Sequence, residues 1–425
     1  MMKEMHFLKD EIYLFKGPVR FRVKDGVAEA VGSILRKETE SQFIPLGKSI
    51  PVEIREPGCI EILEGEMTSI EKLDHRTIPS EWDHLVEKIV AGSLKKIIIV
   101  GEMDTGKSFL ATYIANQLVN RGKKVGVIDS DLGQSDIGPP GTIGLTILDK
   151  PIMFLQDARI DGLEFVGAHS AGLHMVNTLM SFKRIMERSI HLTDITVLNT
   201  SGWVMGDGGR LFVGATIDLF EPDVIVLMQR QGECEHLVKR IFPKSRIVSM
   251  TVSKKASETS KGDREKLRNL SSQKYFKNAK AITLDLDEVM TDNCFFHSGQ
   301  VLSAIPLKTR KKILFAEKYP SFEGILVVSD KLLTPRELNE LRTLGHRTIR
   351  NLRLDFADEA LVGLRRGDYL LLDVGIIRNI DFINRKITVV TPYAGPVQDI
   401  SVMQFGALKY KSDGTEDGFI EPGSF

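Results

Sequence analysis

Lys107 and Ser108 stand side by side after Gly106, and four residues separate Gly106 from Gly101 in the run GEMDTGKS. This is the spacing with which a backbone wraps a chain of phosphates. Glycine allows positive φ and close approach, so successive N–H groups can point at phosphate oxygens. A helix beginning just after the loop adds the partial positive charge of its N-terminus. Gly101, Glu102, Met103, Asp104, Thr105, Gly106, Lys107, Ser108 and Phe109 are therefore assigned to nucleotide binding. Lys107 is expected to reach the β- and γ-phosphates, and the Ser108 hydroxyl to hold magnesium or another divalent cation such as manganese. A glycine turn with a chance Lys-Ser pair would explain the loop but not its flanks. An apolar β-branched run precedes it at 97–100, and Leu110, Ile114, Leu118 and Val119 follow at helical spacing.

Two carboxylates come next. The run KKVGVID at 123–129 reads as a buried strand that ends in Asp129, with Asp131 two residues on. Ligands collect at the carboxyl ends of strands in α/β sheets, so both side chains are expected to face the phosphates. Asp131 is placed to take a proton from an attacking hydroxyl, and Asp129 to share the metal shell. The segment SDLGQSDIGPPGTIGL at 130–145 carries too many Gly and Pro residues for helix or strand, and is read as a long shaped loop with a function. Gln134 within it could position a water if the reaction were hydrolysis.

Trp203 follows another buried strand, TDITVLN at 193–199, and has glycines at 202, 206, 208 and 209 around it. It is either a core plug or a stacking surface. Farther on, DREKLRNLSSQKYFKN runs at helical period, with Arg264 and Arg268 four apart on one face. A solvated basic helix is the plain reading. At the end of a nucleotide-binding core, a lid whose arginines neutralise a transferring phosphoryl group is the sharper one. No NKxD motif supports a preference for guanine.

The elements that must hold these residues divide the chain in three. Residues 1–80 read as a β-rich N-terminal domain, with short strands at 12–15, 19–23, 27–31, 42–44, 52–54 and 59–63. Gly17-Pro18 and Asp25-Gly26 look like hairpin turns between them. Residues 81–280 read as a phosphate-loop domain with a lid near 251–280. Its predicted elements are a helix from about 82, a strand at 152–155, a helix at 174–190, a helix at 210–220, a strand at 223–228, a helix at 233–242 and a strand at 245–250. Such alternation makes an α/β fold with a mostly parallel sheet covered on both faces. Residues 281–425 read as a C-terminal β-rich domain with one short helix near 335–344, no chemical constellation and a loosely held tail from 411.

A chain of 425 residues is long for one core. Its 57 basic and 57 acidic side chains argue against a passive coat for nucleic acid, though not against a local basic groove. Cys59, Cys234 and Cys294 lack the spacing of a zinc site or a disulfide framework. No apolar stretch reads as a signal peptide or a membrane span, so no membrane partner is expected and a cytoplasmic location is.

Phosphoryl transfer asks a protein for positioning and charge neutralisation more than for covalent chemistry. The residues alone lead to a P-loop kinase or ATPase with its acceptor open. GEMDTGKS, DSDLGQSDIGPPGTIG, NTSGWV and TSKGDREKLRNLSSQKYF, in that order, resemble the RNA 5′-hydroxyl kinase family. That family includes archaeal polynucleotide kinases, the kinase subunit of eukaryotic messenger 3′-end processing and transfer-RNA splicing complexes, and nucleolar pre-ribosomal kinases. The resemblance covers about residues 95–280. It implies transfer of the γ-phosphate of ATP to the 5′-hydroxyl end of RNA or DNA, and RNA-processing proteins as partners. It implies that Lys107 and Ser108 hold phosphate and magnesium, that Asp131 activates the hydroxyl and that Gln134 belongs to the same site. Thr142 would clasp the acceptor's phosphodiester, Trp203 would stack on its terminal base, and Arg264 and Arg268 would act from the lid. The alternative within the same family is a scaffold that binds ATP without turning it over; an ATPase switch without acceptor chemistry is the third.

Overall fold

A computed structural model describes residues 2–239, 241, 243–253, 260–319 and 323–421. Arg240 and Phe242 of the predicted helix at 233–242, residues 254–259 of the predicted lid and the last four residues of the tail lie outside them.

The N-terminal region is a seven-stranded sheet built on one 16-residue strand, Ser49–Glu64. Met2–Phe7, Ile12–Lys16 and Val19–Ala30 all pair with it antiparallel. Asp25-Gly26 is not a hairpin turn, and Gly17-Pro18 does not join two paired strands. Asp25 and Gly26 sit in a bulge within one continuous strand, opposite Pro57 and Gly58 in the other. Gly26 has φ +79°, and a Cβ there would lie 2.5 Å from the Pro57 carbonyl. The Gly and Pro signals that read as chain reversals therefore mark an irregular ladder instead.

In the seven-stranded central sheet the loop strand Lys96–Gly101 is the middle one of the five parallel strands. Ile195–Asn199 and Val224–Gln229 flank it in parallel, with Val125–Asp129 and Ile247–Thr251 outside them. The alternation of a strand sends its side chains to both faces. Ile97 and Ile99 pack with Leu110 and Ile114 of the loop helix Lys107–Val119, with Trp82 and Leu85 of the helix Ser80–Ala91, and with the N-terminal sheet. Ile98 and Val100 pack with Phe182 and Ile185 of the helix Met175–Leu192 and with Phe212 and Ile217 of the helix Gly206–Phe220.

Three central predictions need correction. Thr142–Leu148, whose first four residues were read as loop, is a strand antiparallel to Val125–Asp129, and Gly162–Phe165 pairs onto it. Gly144 lets the preceding loop fold back over this strand, since a Cβ there would lie 2.0 Å from the Ile137 carbonyl. Residues 152–155 form no strand, only entering a single turn of 3₁₀ helix at Leu155–Asp157. The helix expected at 233–242 is the single turn Glu235–Val238.

The C-terminal region holds a seven-stranded sheet and a four-stranded one. The short helix Pro335–Thr343 begins at a capping box, with Thr334 and Glu337 bonding reciprocally. The tail is not loose throughout. Glu416–Phe419 is a strand paired with Val402–Tyr410. Among the described residues no helix is long and apolar enough to cross a membrane.

Candidate active site

The phosphate loop leaves the central strand at Gly101, where a Cβ would lie 2.5 Å from the Met228 carbonyl of the neighbouring strand. Asp104 (φ +57°) and Gly106 (φ +89°) turn the backbone into the left-handed region before the helix starts at Lys107. Thr105 is buried and its hydroxyl donates to the Glu102 carbonyl at 2.9 Å. Lys107 Nζ donates to the same carbonyl at 2.6 Å. Burial lowers the pKa of this amine, and the nearby charge of Asp131 opposes that shift. Phe109 turns its ring away, against Trp82 in the core shared with the N-terminal sheet, with centroids 5.8 Å apart. Only its backbone is left to face a phosphate.

Asp129 is fully buried at the end of its strand. Its Oδ1 accepts from the Asp131 amide at 3.2 Å and from Asn199 Nδ2 at 3.1 Å, and its Oδ2 from the Asp136 amide at 2.6 Å. Asn199 Nδ2 also lies 3.1 Å from Ser108 Oγ. Asp131 Oδ1 accepts from the Gly133 and Gln134 amides at 3.1 and 3.0 Å. One carboxylate oxygen thus shapes the turn while the other is left for chemistry.

Two residues of this cluster were missed in the sequence. Asp136 lies near Ser108, and Lys48 of the N-terminal region lends it positive charge. Asn199 joins Ser108 to Asp129. A late signal for Asn199 was its position as the last residue of the strand next to the loop strand; for Asp136 the sequence offered none, because the fold-back of its loop brings it in.

Burial raises the pKa of Asp129, and the charges of Asp136 and Asp131 raise it further. Burial also raises Asp136. Three carboxyl groups repel one another near the phosphate loop, while Asn199 Oδ1 is buried without a hydrogen-bond partner. An oxygen-rich cluster with an orphaned acceptor suits a hard divalent cation.

The lid helix Lys261–Phe276 starts at Ser260, whose hydroxyl caps Asp263 N. It sends its two arginines to different places. Arg264 Nη2 pairs with Asp104 Oδ2 of the phosphate loop at 3.1 Å, and Nη1 touches Met103 Sδ at 3.2 Å. Its Nε is buried without a partner. Gln134 Nε2 donates to the Arg264 carbonyl at 3.3 Å, tying the shaped loop to the lid. Arg268 Nε instead donates to Glu416 Oε2 of the C-terminal strand at 3.2 Å.

Thr142 is fully buried, and its hydroxyl donates to the Pro139 carbonyl at 2.7 Å. It closes the turn of the Gly/Pro segment, so the expected clasp on an acceptor is replaced by a structural bond. Trp203 is half-buried and stacks on Phe212 with centroids 5.9 Å apart at 27°. Gly208 makes room for its ring, as a Cβ there would lie 2.5 Å from Trp203 Cζ2. The adjoining Gly202 packs on the Met103 backbone. The indole therefore belongs partly to the core and sits next to the phosphate loop.

A cavity of about 700 Å³ opens beside Gln134 and Asp136. Residues 43–48 of the N-terminal region and the lid helix both line it. Leu46 and Leu270 are exposed across it, and Lys48, Arg268 and Lys274 supply positive charge.

Residues 101–278 match the family described as mRNA cleavage and polyadenylation factor CLP1 P-loop. A polyribonucleotide 5′-hydroxyl-kinase of Pyrococcus furiosus is 27% identical over 350 residues, which is 81% of this chain and 96% of that protein. One of Methanocaldococcus jannaschii is 27% identical over 336 residues, 77% of this chain and 90% of the relative. The fold matches that of Clp1p in a solved Clp1p–Pcf11p complex, with a TM-score of 0.64 at 12% identity, covering 96% of this chain and 98% of that one.

Proposed function

We propose, for a chain whose centre matches the CLP1 P-loop family and whose length matches archaeal polyribonucleotide 5′-hydroxyl-kinases, that it transfers the γ-phosphate of ATP to the 5′-hydroxyl end of RNA, with DNA ends as a further acceptor. The observation that carries this reading is a pair of orphaned atoms on residues bonded to the phosphate-loop motif, Arg264 to Asp104 and Asn199 to Ser108. Arg264 Nε is a buried donor suited to an anion, and Asn199 Oδ1 a buried acceptor suited to a cation. A metal–triphosphate complex satisfies both.

The roles follow from where the residues lie. The loop amides from Glu102 to Phe109 and Lys107 hold the triphosphate. A divalent cation such as magnesium, held by Ser108, Asp129 and Asp136 with Asn199, would neutralise charge on the phosphate oxygens. Asp131 takes the proton of the acceptor hydroxyl through the oxygen not spent on its own turn. The bond from O5′ to the γ-phosphorus forms as the bond to the ADP oxygen breaks, and the proton ends on Asp131. Arg264 leaves Asp104 for the transferring group. Trp203 stacks on the terminal base of the acceptor, a contact that any base can make. The cavity between Leu46 and Leu270 takes the nucleoside of ATP, apolar walls against a flat base.

Incubation with γ-labelled ATP, magnesium and an oligonucleotide ending in either a 5′-hydroxyl or a 5′-phosphate tests the reading. Label on the first alone supports the kinase, and free phosphate with either favours an ATPase switch. Bound but unspent ATP favours a scaffold, a reading kept open by the solved Clp1p–Pcf11p complex of the same fold. Protein partners in RNA processing are proposed on the same ground. Three free cysteines are consistent with a reducing cytoplasm.

A further inference from the structure

The lid helix is joined to the C-terminal region along its length. Glu416 N donates to Asn269 Oδ1 at 2.7 Å, Gln273 Nε2 to Thr415 Oγ1 at 2.9 Å, and Tyr275 OH to Asp373 at 2.8 Å. Gly414, at φ +85°, lies flat on the helix, where a Cβ would be 2.8 Å from the Ser272 carbonyl. Most of these contacts only hold the helix down. The pair between Arg268 and Glu416 differs, because Arg268 also lines the cavity beside Gln134 and Asp136.

Arginine carries five N–H donors in a rigid planar fork. Glu416 engages Nε alone, so the orientation of the fork is fixed while its Nη groups remain for another acceptor. The second oxygen of Glu416 lies 3.7 Å from His169 Nδ1, and His169 Nε2 is 2.9 Å from the Tyr410 hydroxyl. Burial, with the charge of Arg268 adding to it, pushes His169 down to about 3. The imidazole is therefore neutral and leaves the charge of Glu416 to Arg268.

We propose that Glu416 is a positioning residue for phosphoryl transfer, aiming Arg268 into the cavity beside Gln134 and Asp136, so that the C-terminal strand completes the active site. This rests on the kinase reading above. It gives the C-terminal region a part in catalysis, although Glu416 lies 148 residues from the arginine it orients.

Steady-state kinetics of transfer to a 5′-hydroxyl oligonucleotide test it on the full chain. Glu416→Ala is expected to lower kcat by about 10²-fold, the cost of misplacing a charged group at a reacting centre, with both KM values within about threefold. Glu416→Gln keeps an acceptor for Nε and is expected to recover about tenfold of that loss. Arg268→Ala and the double variant Arg268→Ala, Glu416→Ala should have equal kcat, since Glu416 acts only through the arginine. Gln273→Ala removes a bond between the same helix and the same strand without touching Arg268, and should leave kcat unchanged. Equal losses in Gln273→Ala and Glu416→Ala, or additive losses in the double variant, would overturn the positioning role and leave the kinase standing. A wild-type chain that transfers no label would overturn both.

Discussion

Arg264 of the lid and Asp104 of the phosphate loop form an ion pair at 3.1 Å, so the lid is fastened to the loop it must cover. A bound triphosphate offers Arg264 a more highly charged partner than one carboxylate. Arg264→Ala is expected to lower kcat by on the order of 10³-fold, as for arginines that neutralise a transferring phosphoryl group. ATP affinity, measured by calorimetry, should change by only a few-fold. Asp104→Ala should stay active, because it removes the competitor and not the arginine.

Asp131 spends one oxygen on the Gly133 and Gln134 amides, and Asn can keep those two bonds. Asp131→Asn should therefore preserve the loop and lose the base. Transfer is expected to fall by about 10²- to 10⁴-fold with ATP affinity little altered. Rates measured at saturating ATP and oligonucleotide check this, and a variant within about threefold of wild type would remove Asp131 from its role.

Trp203→Ala is expected to weaken oligonucleotide binding by roughly 1–3 kcal/mol while sparing ATP. Gly208→Ala offers a second route to the same surface, because its Cβ would meet the indole at 2.5 Å. Alanine favours the helix it joins, so this variant should displace the ring without unfolding the helix Gly206–Phe220. Fluorescence titration with a labelled 5′-hydroxyl oligonucleotide reads both. Equal losses of ATP and oligonucleotide affinity would contradict the stacking role.

The crowded carboxyl groups make stability depend on pH. Asp129 and Asp136 are raised by burial, so the folded chain holds their protons more tightly than the unfolded one. Their contribution is greatest below the ordinary carboxylate range and is lost as pH rises through their folded values. Asp358, raised to about 6 by burial, adds the same sign, so the comparison of variants is the readout and not the slope alone. In EDTA at about pH 8, Asp136→Asn should melt higher than wild type, and it should gain less from magnesium with ATP. Differential scanning in the two buffers measures this; unchanged melting in both would contradict the cluster.

What the sequence made readable was local. The strand, loop and helix around Lys107 lie within about 25 residues, and each part of that signal supports the next. Asp129, Asp131 and the lid helix were legible for the same reason. The rest depended on contacts between distant segments. Asn199 reaches Ser108 because two strands nearly a hundred residues apart are neighbours in the sheet, which no window of sequence displays. Asp136 arrives through a fold-back that Gly144 permits, and the same glycine hid the strand that begins at Thr142. Asp25 and Gly26 were misread as a turn because bulges and turns use the same residues. Arg268 was read onto the lid helix, yet its partner, Glu416, stood in a stretch that looked like tail.

The most direct test is a crystal structure with a non-hydrolysable ATP analogue, magnesium and a short 5′-hydroxyl strand. The Asp131 carboxylate is expected within about 2.6–3.2 Å of O5′, with that oxygen in line with the γ-phosphorus. Asp131 turned away from the hydroxyl, with another side chain in its place, would contradict it.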